Sequence, residues 1–302
     1  MTYFLAGDIG GTNCRYALFD GTHLSHIHTW PTQESSGLRY DVERYLSVVN
    51  IIPEAACVAI ASPVVDAEVV LTNADWRGHP SDLPCKGQII NDLVAAAHGL
   101  SRTPKTLHIC GPQPIEGPKV LLGVGTGFGQ VLSVGKDAYP AEGGHASYAP
   151  SSPEQEQLFQ FLRTRKRRVR VEDICSGIGL ENILDYIVHR YDLRIDRDTP
   201  AGKMFAEQAS SREEMALGLS LFLTSLASVI GDTALRLMPP GGIWLCGGVA
   251  QKMASHIQSE TFLNALFDKA PMENIVRNIP VSIILESDLG LLGAADVAFR
   301  CS

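Results

Sequence analysis

Residues 8–13 read Asp-Ile-Gly-Gly-Thr-Asn and lie between two apolar runs. Glycines leave the backbone N–H groups of a turn open to a phosphate, because no Cβ stands in the way. Thr12 and Asn13 add a hydroxyl and an amide at the same place. Asp8 would repel a bare phosphate, so the turn fits one only with Mg²⁺ between them, since Mg²⁺ takes one or two carboxylates together with phosphate oxygens. An ordinary hairpin turn explains the same stretch.

Two other phosphate-binding motifs do not match this turn. A P-loop requires GxxxxGK[ST] at the start of a helix, and no Lys follows the glycines here. A dinucleotide fingerprint also requires a helix next, whereas residues 14–20, CRYALFD, are typical of a strand.

The same device recurs further along the chain. Residues 123–129, GVGTGFG, again join two strand-like runs, and residues 241–252, GGIWLCGGVAQK, bring an apolar strand to a Gly-Gly pair before a helix. Three strand-to-glycine junctions indicate one ligand that the backbone approaches from several directions. We interpret the first two as hairpins that grip one polyphosphate from opposite domains.

A polar pair, Asn91–Asp92, follows an apolar run in IINDLV, where a buried strand is predicted to end and a helix to begin. Asp92 is well placed there to accept a proton from a substrate hydroxyl. Either residue can instead be only the N-cap of the helix, a common role for both types. The pattern leaves both interpretations open.

A carboxylate and an imidazole, Glu142 and His145, flank two glycines in AEGGH. Such a segment suits a loop that wraps a small polyhydroxylated ligand, and it lacks a third ligand at a spacing that would favour a metal site. An ordinary surface loop is the alternative. Glu172, in VEDICSG, is by its own pattern only a charge at a helix start.

Composition and charge argue against a nucleic-acid partner and favour a reducing compartment. The chain has 302 residues, a net charge of −8 and a pI of about 5.6, which is the opposite of the balance expected for a nucleic-acid binder. Its 7 cysteines are scattered without a CxxC pair, so we expect reduced thiols and a cytoplasmic protein. The N-terminal MTYFLAGD lacks the features of a signal peptide.

One apolar stretch borders on the length of a membrane span. Residues 215–231 carry no charge, but Glu213 and Glu214 precede them, and Asp232 and Arg236 follow in the same helical pattern. This predicts a core helix of a large soluble domain, with acids at the positive end of its dipole.

The coarse organisation predicts strands at 2–8, 14–20 and 23–30 in an antiparallel meander, and a domain boundary or hinge in the Pro- and Gly-rich 101–119. Residues 163–170, RTRKRRVR, indicate either a nucleic-acid or anion patch or the solvated C-terminal turn of a helix that begins at Ser152. The acidic composition favours the solvated helix end.

Together, nine segments resemble the bacterial glucokinases of the hexokinase superfamily, in the group without the zinc motif of the ROK kinases. They occur in this order over nearly the whole chain: DIGGTN, CVAIASPV, LTNADW, IINDL, GVGTGFG, AEGGH, VEDICSGIGL, LCGGVA and DLGLLGAA. The resemblance implies the α/β, two-domain actin-like ATPase (ribonuclease H-like) fold with an interdomain cleft. It implies a small domain of 1–104 plus 289–302, a large domain of 105–288, and a homodimer.

The resemblance also implies a role for each matched position. Asp92 would be the catalytic base on the 6-hydroxyl of glucose, with ATP as phosphoryl donor and Mg²⁺ as cofactor. Residues implied to bind the other sugar hydroxyls are Asn91, Glu142, His145 and Glu172. Asp8, Gly10, Gly11, Thr12 and Asn13 would form the first phosphate loop, with Asp8 near Mg²⁺ and a water molecule between them. Gly125, Thr126, Gly127 and Gly129 would form the second loop, and Gly247 and Gly248 would face the adenosine.

Other functions share the expected fold. They are a kinase of another hexose, a sugar-sensing regulator, and an actin- or chaperone-like ATPase without a sugar substrate. Repressors of this fold carry an N-terminal helix-turn-helix, whereas here the phosphate turn begins within ten residues of Met1. The Asn91–Asp92 and Glu142/His145 pairs argue against the ATPase. We therefore expect small-molecule partners, a hexose and ATP, and neither nucleic acid nor membrane.

Overall fold

The structure is a computed structural model that describes residues 2–62, 64, 69–71 and 76–301. Its strands are β1 (Phe4–Ile9), β2 (Asn13–Phe19), β3 (Leu24–Pro31), β4 (Ala55–Ile60), β5 (Val69–Val70), β6 (Arg77–Gly78), β7 (Lys86–Asn91), β8 (Thr106–Cys110), β9 (Lys119–Val124), β10 (Phe128–Val134), β11 (Asp137–Ala141), β12 (Ile243–Cys246) and β13 (Val281–Ile284). Part of the predicted LTNADW segment lies outside the described residues.

The helices alternate with these strands, which confirms the predicted α/β class. They are α1 (Leu38–Val49), α2 (Asp92–Gly99), α3 (Pro153–Arg163), α4 (Gly177–Tyr191), α5 (Ala201–Gln208), α6 (Glu213–Leu237), α7 (Gly248–Lys252), α8 (Ala254–Ile257), α9 (Glu260–Phe267), α10 (Glu273–Arg277) and α11 (Leu289–Arg300). Short 3-10 helices lie at Thr32–Glu34, Pro80–Asp82, Leu100–Arg102, Gly143–His145 and Val171–Asp173.

The chain divides into two units, each with its own internal contacts. The first comprises Met1–Lys105, Lys136–Pro140 and Glu286–Ser302, and the second comprises Thr106–Gly135 and Ala141–Leu285. The functional domains expected from the sequence, 1–104 with 289–302 and 105–288, stay a prediction.

In the first unit the sheet runs in the order β3-β2-β1-β4-β7. β1 to β3 form the predicted antiparallel meander. Alternate side chains of β1 enter two cores: Leu5 packs with the cluster around Trp30 and Tyr45, and Phe4 packs with Leu291 of α11 and its neighbours.

The polar residues of interest in this unit meet at one edge of the sheet. β1, β4 and β7 are parallel, and the register places Ile9 beside Ile60 and Ile60 beside Asn91. Since parallel strands end at the same edge, the 8–13 turn and Asn91–Asp92 lie along that edge.

The second unit has a related arrangement. Within this unit the strands run in the order β10-β9-β12-β13-β8, with β9 antiparallel to β10 and parallel to β12, and with the edge strand β8 antiparallel to β13. Cys246, at the end of β12, is in register with Gly123 near the end of β9. The turn after β9 and the glycine pair after β12 therefore leave the sheet at the same edge.

Helix α6 is long and apolar enough to cross a membrane by length and composition, with 67% of its most apolar window buried inside the protein. It packs against α4, α5 and α9, and its buried side chains include Phe222, Leu226 and Ile230. This environment agrees with the predicted core helix.

Candidate active site

The first glycine turn is held in place by Thr32, the first residue of the 3-10 helix that follows β3. Gly10 N–H donates to Asn13 O at 2.9 Å, which closes the turn. Thr32, which is 1% exposed, donates its hydroxyl to Gly10 O at 2.7 Å and its N–H to Thr12 O at 2.8 Å. Gly11, Thr12 and Asn13 are exposed, and a Cβ on Gly11 would meet no atom within 4 Å. Packing therefore does not explain Gly11, whose backbone stays open to a ligand.

Asp8 lies at the base of this turn in a cluster of charges. Its carboxylate is 3.9 Å from Nη1 of Arg15, and the other guanidinium nitrogen pairs with Asp288. Arg15 also donates to Ser287 O at 3.3 Å. Burial raises the pKa of Asp8, Arg15 opposes that rise, and the negative charge of Asp288 adds to it.

The structure assigns different local roles to Asn91 and Asp92. Asn91 is the N-cap of α2: its Oδ1 accepts from Leu93 N at 3.0 Å and Val94 N at 3.2 Å, and its Nδ2 donates to Ser62 O at 3.2 Å. Asp92 is the first residue of the helix, and its Oδ1 accepts from Leu93 N at 2.8 Å. The capping role therefore explains Asn91, and the Asp92 carboxylate is not needed as the helix cap.

The carboxyl group of Asp92 has altered acidity. Burial raises its pKa to about 6 against the lowering effect of the Leu93 N–H, and the nearby negative charge of Asp8 raises it further. A carboxyl group with this pKa is ionised at neutral pH and still basic enough to take a proton.

In the second unit, two glycine junctions adjoin each other. Gly247 has a φ of +97°, which favours glycine, and a Cβ there would lie 2.6 Å from Val124 O. The turn after β9 closes through Gly125 N–H donating to Gly127 O at 3.1 Å. A Cβ on Gly125 or Gly248 would meet no atom within 4 Å, so open space lies beside both.

Glu172 links this turn to the loop around His145. Its Oε2 accepts from Phe128 N at 3.3 Å, and a Cβ on Gly127 would lie 2.7 Å from the same oxygen. Its Oε1 is 2.9 Å from Nη1 of Arg170 and 3.9 Å from Nε2 of His145. His145 Nδ1 is in turn 3.4 Å from Glu142. The three sugar-site residues predicted in this unit therefore lie close together.

The glycines of AEGGH are explained by packing rather than by flexibility. A Cβ on Gly143 would lie 2.2 Å from Gln130 Oε1, and one on Gly144 would lie 1.9 Å from Phe128 O. They allow a 3-10 turn to press against β10 while Glu142 and His145 stay exposed on either side.

The cluster around Asp8 fits a magnesium ion bound together with a nucleotide. Asp92 and Asp288 bring further negative charge near Asp8, whose own burial disfavours its charge. Within the described ranges, no group of three or more His, Cys, Asp or Glu side chains is placed to hold a metal ion. Mg²⁺ does not require such a cage, because water and nucleotide phosphates supply most of its ligands.

The basic stretch 163–170 differs from the expected solvated helix end. Ser152 caps α3 through Gln155 N at 3.2 Å, as predicted, but the helix ends at Arg163. The remaining basic residues follow in a loop, where Lys166 and Arg170 pair with the buried Asp173.

Sequence reasoning missed the residues that support the site. Three of them contact a predicted site residue directly: Thr32, Arg15 and Arg170. Two others, Asp288 and Asp173, contact Arg15 and Arg170 in turn. Their partners in the first unit are distant in sequence, as shown by Arg15 and Asp288, which are 273 positions apart. The only available signal was the unusual density of charge in residues 163–170.

The chain is similar to known glucokinases over nearly its whole length. A family profile described as Glucokinase matches residues 5–300. A glucokinase of Nostoc punctiforme is 33% identical over 341 aligned residues, covering 99% of this chain and 100% of the relative. The crystal structure of a glucokinase from an Antarctic psychrotroph has a TM-score of 0.87 and 27% identity, with 99% of both chains covered.

A more distant crystal structure, that of Balamuthia mandrillaris glucokinase in complex with glucose, has a TM-score of 0.83 and 21% identity over 99% of this chain and 94% of that one. These likenesses confirm the predicted actin-like ATPase fold of the sugar kinases. With a profile match over nearly the whole length, the chain belongs to the glucokinase family.

Proposed function

We propose that this protein transfers the γ-phosphoryl group of ATP to the 6-hydroxyl of glucose, giving glucose 6-phosphate and ADP. One observation carries the proposal: Asp92, with a pKa raised to about 6, lies at the same sheet edge as the 8–13 turn. A base beside a phosphate-binding turn is the arrangement that phosphoryl transfer to a hydroxyl requires.

In the proposed reaction Asp92 is the general base. The 6-hydroxyl oxygen attacks the γ-phosphorus, the bond from that phosphorus to the β,γ-bridging oxygen breaks, and ADP leaves. The hydroxyl proton passes to the Asp92 carboxylate, which is ionised at neutral pH. Such a base contributes roughly 10²–10⁴-fold to the rate.

The glycine turns hold the phosphates in this proposal. Open backbone at Gly11 and Gly125 lets N–H groups approach the phosphate oxygens, and Gly248 leaves space for the adenosine. Asp8 would hold Mg²⁺ through water, and the ion supplies neutralisation of the phosphate charge. Positioning and charge neutralisation account for most of the catalysis of phosphoryl transfer.

Glucose would be held by side chains that form hydrogen bonds with its hydroxyl groups, as acceptors or as donors. Glu172, Glu142 and His145 offer acceptors in one cluster. Asn91 keeps one amide proton beyond the one that it donates to Ser62 O. A site built on such hydrogen bonds rejects sugars that lack a hydroxyl by as much as ~10⁴-fold.

A coupled assay tests the proposal across glucose, mannose, fructose and N-acetylglucosamine, with ATP, ADP or polyphosphate as donor in the presence of Mg²⁺. We expect glucose and ATP to give the highest kcat/KM, and the activity to vanish when Mg²⁺ is chelated. ATP hydrolysis that no hexose changes would contradict the proposal.

We also propose that the protein works in the cytoplasm as a homodimer. Every described cysteine is a free thiol, as expected in a reducing compartment. The dimer rests on the family resemblance, and light scattering of the purified protein tests it: a mass of twice 32.6 kDa is expected.

A further inference from the structure

The segment 163–170 carries six positive charges, four of them on exposed side chains, and several of the six have partners within the protein. Arg165 lies 3.5 Å from Asp185, and Arg168 donates to His145 O at 2.9 Å. Lys166 and Arg170 both reach Asp173. Lys166 and Arg170, the two half-buried cations of the segment, therefore direct their charges toward Asp173, next to Glu172.

Asp173 anchors this arrangement. Its side chain is 0% exposed and accepts from three groups of Arg170: the backbone N at 2.8 Å, Nε at 3.1 Å and Nη2 at 2.9 Å. Lys166 Nζ donates to it at 3.1 Å. A buried carboxylate needs such partners, and a fork of two nitrogens fixes the plane of the guanidinium.

Asp173 does not neutralise all of the positive charge around it, and the remaining charge on Arg170 faces Glu172. Lys166 and Arg170 bring two positive charges against the single negative charge of Asp173, and Nη1 of Arg170 lies 2.9 Å from Glu172 Oε1. The Glu172 side chain is 14% exposed, so this ion pair is better shielded from water than a surface pair.

The pairing leaves Glu172 free to bind a ligand. A carboxylate has about four acceptor positions. Phe128 N–H occupies one on Oε2, and Arg170 faces Oε1 as an ion-pair partner, so that acceptor positions remain on both oxygens. Both oxygens are thus oriented, and both can still accept from a hydroxyl.

We propose that Arg170, fixed by the buried Asp173, is a positioning residue that orients the Glu172 carboxylate toward the sugar hydroxyls. This inference rests on the proposed function, because it takes Glu172 as a sugar ligand. It explains Arg170, within the basic segment 163–170, by substrate binding rather than by binding of a nucleic acid or another anion.

The test measures KM for glucose and KM for ATP in Arg170→Met, with Arg167→Met as the matched control. Arg167 is an exposed cation of the same segment. Losing the ion pair that orients Glu172 should raise KM for glucose by about 10- to 100-fold in Arg170→Met. KM for ATP should stay within about threefold, as for independent sites, and Arg167→Met should match the wild type.

A double-mutant cycle with Glu172→Gln separates positioning from mere support of the fold. If Arg170 acts through Glu172, Arg170→Met should change KM for glucose less than about threefold in the Glu172→Gln background. An equal effect in both backgrounds, or an unchanged KM for glucose in Arg170→Met, overturns the inference. Should Arg170→Met fail to fold, Arg170→Lys replaces it, since one ammonium can pair with Asp173 without also reaching Glu172.

The wild type and Glu172→Gln show which proposal fails. A wild type that phosphorylates no hexose contradicts the proposed function, and a normal KM for glucose in Glu172→Gln contradicts the role of Glu172. A raised KM in Glu172→Gln with a normal one in Arg170→Met contradicts only the positioning role of Arg170.

Discussion

Burial raises the pKa of Asp92 to about 6, which suits its proposed role as a base near neutral pH. Its neighbour Asn91 satisfies the free N–H groups at the start of α2, so Asp92 is not needed as the helix cap. The nearby charge of Asp8 disfavours a second negative charge, which raises the pKa of Asp92 together with burial.

The acidity of Asp92 predicts a pH profile. Its pKa of about 6 means that the base becomes protonated as the pH falls through 6, so kcat/KM for glucose should drop about tenfold per pH unit below that value. Rates measured from pH 5 to 8 at saturating Mg-ATP give the profile. Repeating them with doubled ATP and Mg²⁺ controls for titration of the nucleotide, and a flat profile from pH 5 to 8 would contradict the assignment.

The raised pKa of Asp92 predicts that its negative charge lowers the stability of the folded protein while serving the proposed activity. The pKa of Asp92 is higher in the folded protein than its usual 3.8, so folding favours the neutral acid. The contribution of Asp92 to the stability of the wild type therefore falls as the pH rises from about 4 to about 6, where the folded protein must accept the charge of this half-buried group.

Asp92→Asn removes that charge and keeps an oxygen that can accept from Leu93 N. We expect its Tm to exceed that of the wild type at pH 8 and to approach it at pH 4, as measured by calorimetry. The exposed Asp198→Asn serves as the control and should show little difference at either pH. A lower Tm for Asp92→Asn at pH 8 would mean that the buried charge is stabilised by a partner.

At the scale of elements, the site consists of turns that follow strands at the edge of a sheet. β1 and β7 bring the 8–13 turn and Asp92 to one edge, and β9 and β12 bring the other glycine junctions to another. Strand register thus positions residues that are far apart in sequence. The helices pack against the sheets.

Gly11→Ala tests whether the first turn serves a ligand or only the fold. The new Cβ would meet no protein atom within 4 Å, so the free energy of unfolding should change by less than about 0.5 kcal/mol, as for a surface substitution. KM for ATP should rise by tenfold or more while KM for glucose changes little. Loss of stability with unchanged KM for ATP would support the ordinary hairpin turn instead.

Much of this arrangement was predictable because it depends on local signals. Glycine pairs between apolar runs predict the β1–β3 meander, and Ser152 before Pro153 predicts the start of α3. The bracing of Gly10 by Thr32 was not predictable, because the partners are 22 positions apart and strand register brings them together. The helix end at Arg163 was missed since the buried Asp173 draws the basic residues into a loop.

At the scale of the whole molecule, each unit supplies a part of the proposed chemistry. The first carries Asp8, Asn91 and Asp92, and the second carries Glu172 and the Gly125–Gly129 turn. Neither unit alone holds both the base and the full set of sugar and phosphate groups, so we expect activity to require the whole chain.

The central claim is that Asp92 takes the proton from the 6-hydroxyl of glucose, and one measurement tests it most directly. Calorimetry gives the Kd for glucose, and phosphorus NMR follows the sugar phosphate formed from glucose and Mg-ATP, for the wild type and for Asp92→Asn. We predict glucose 6-phosphate from the wild type, and a variant with kcat reduced roughly 10²–10⁴-fold whose Kd stays within a few-fold. Near-normal turnover by Asp92→Asn, or phosphate released from ATP without a sugar phosphate in the wild type, would contradict it.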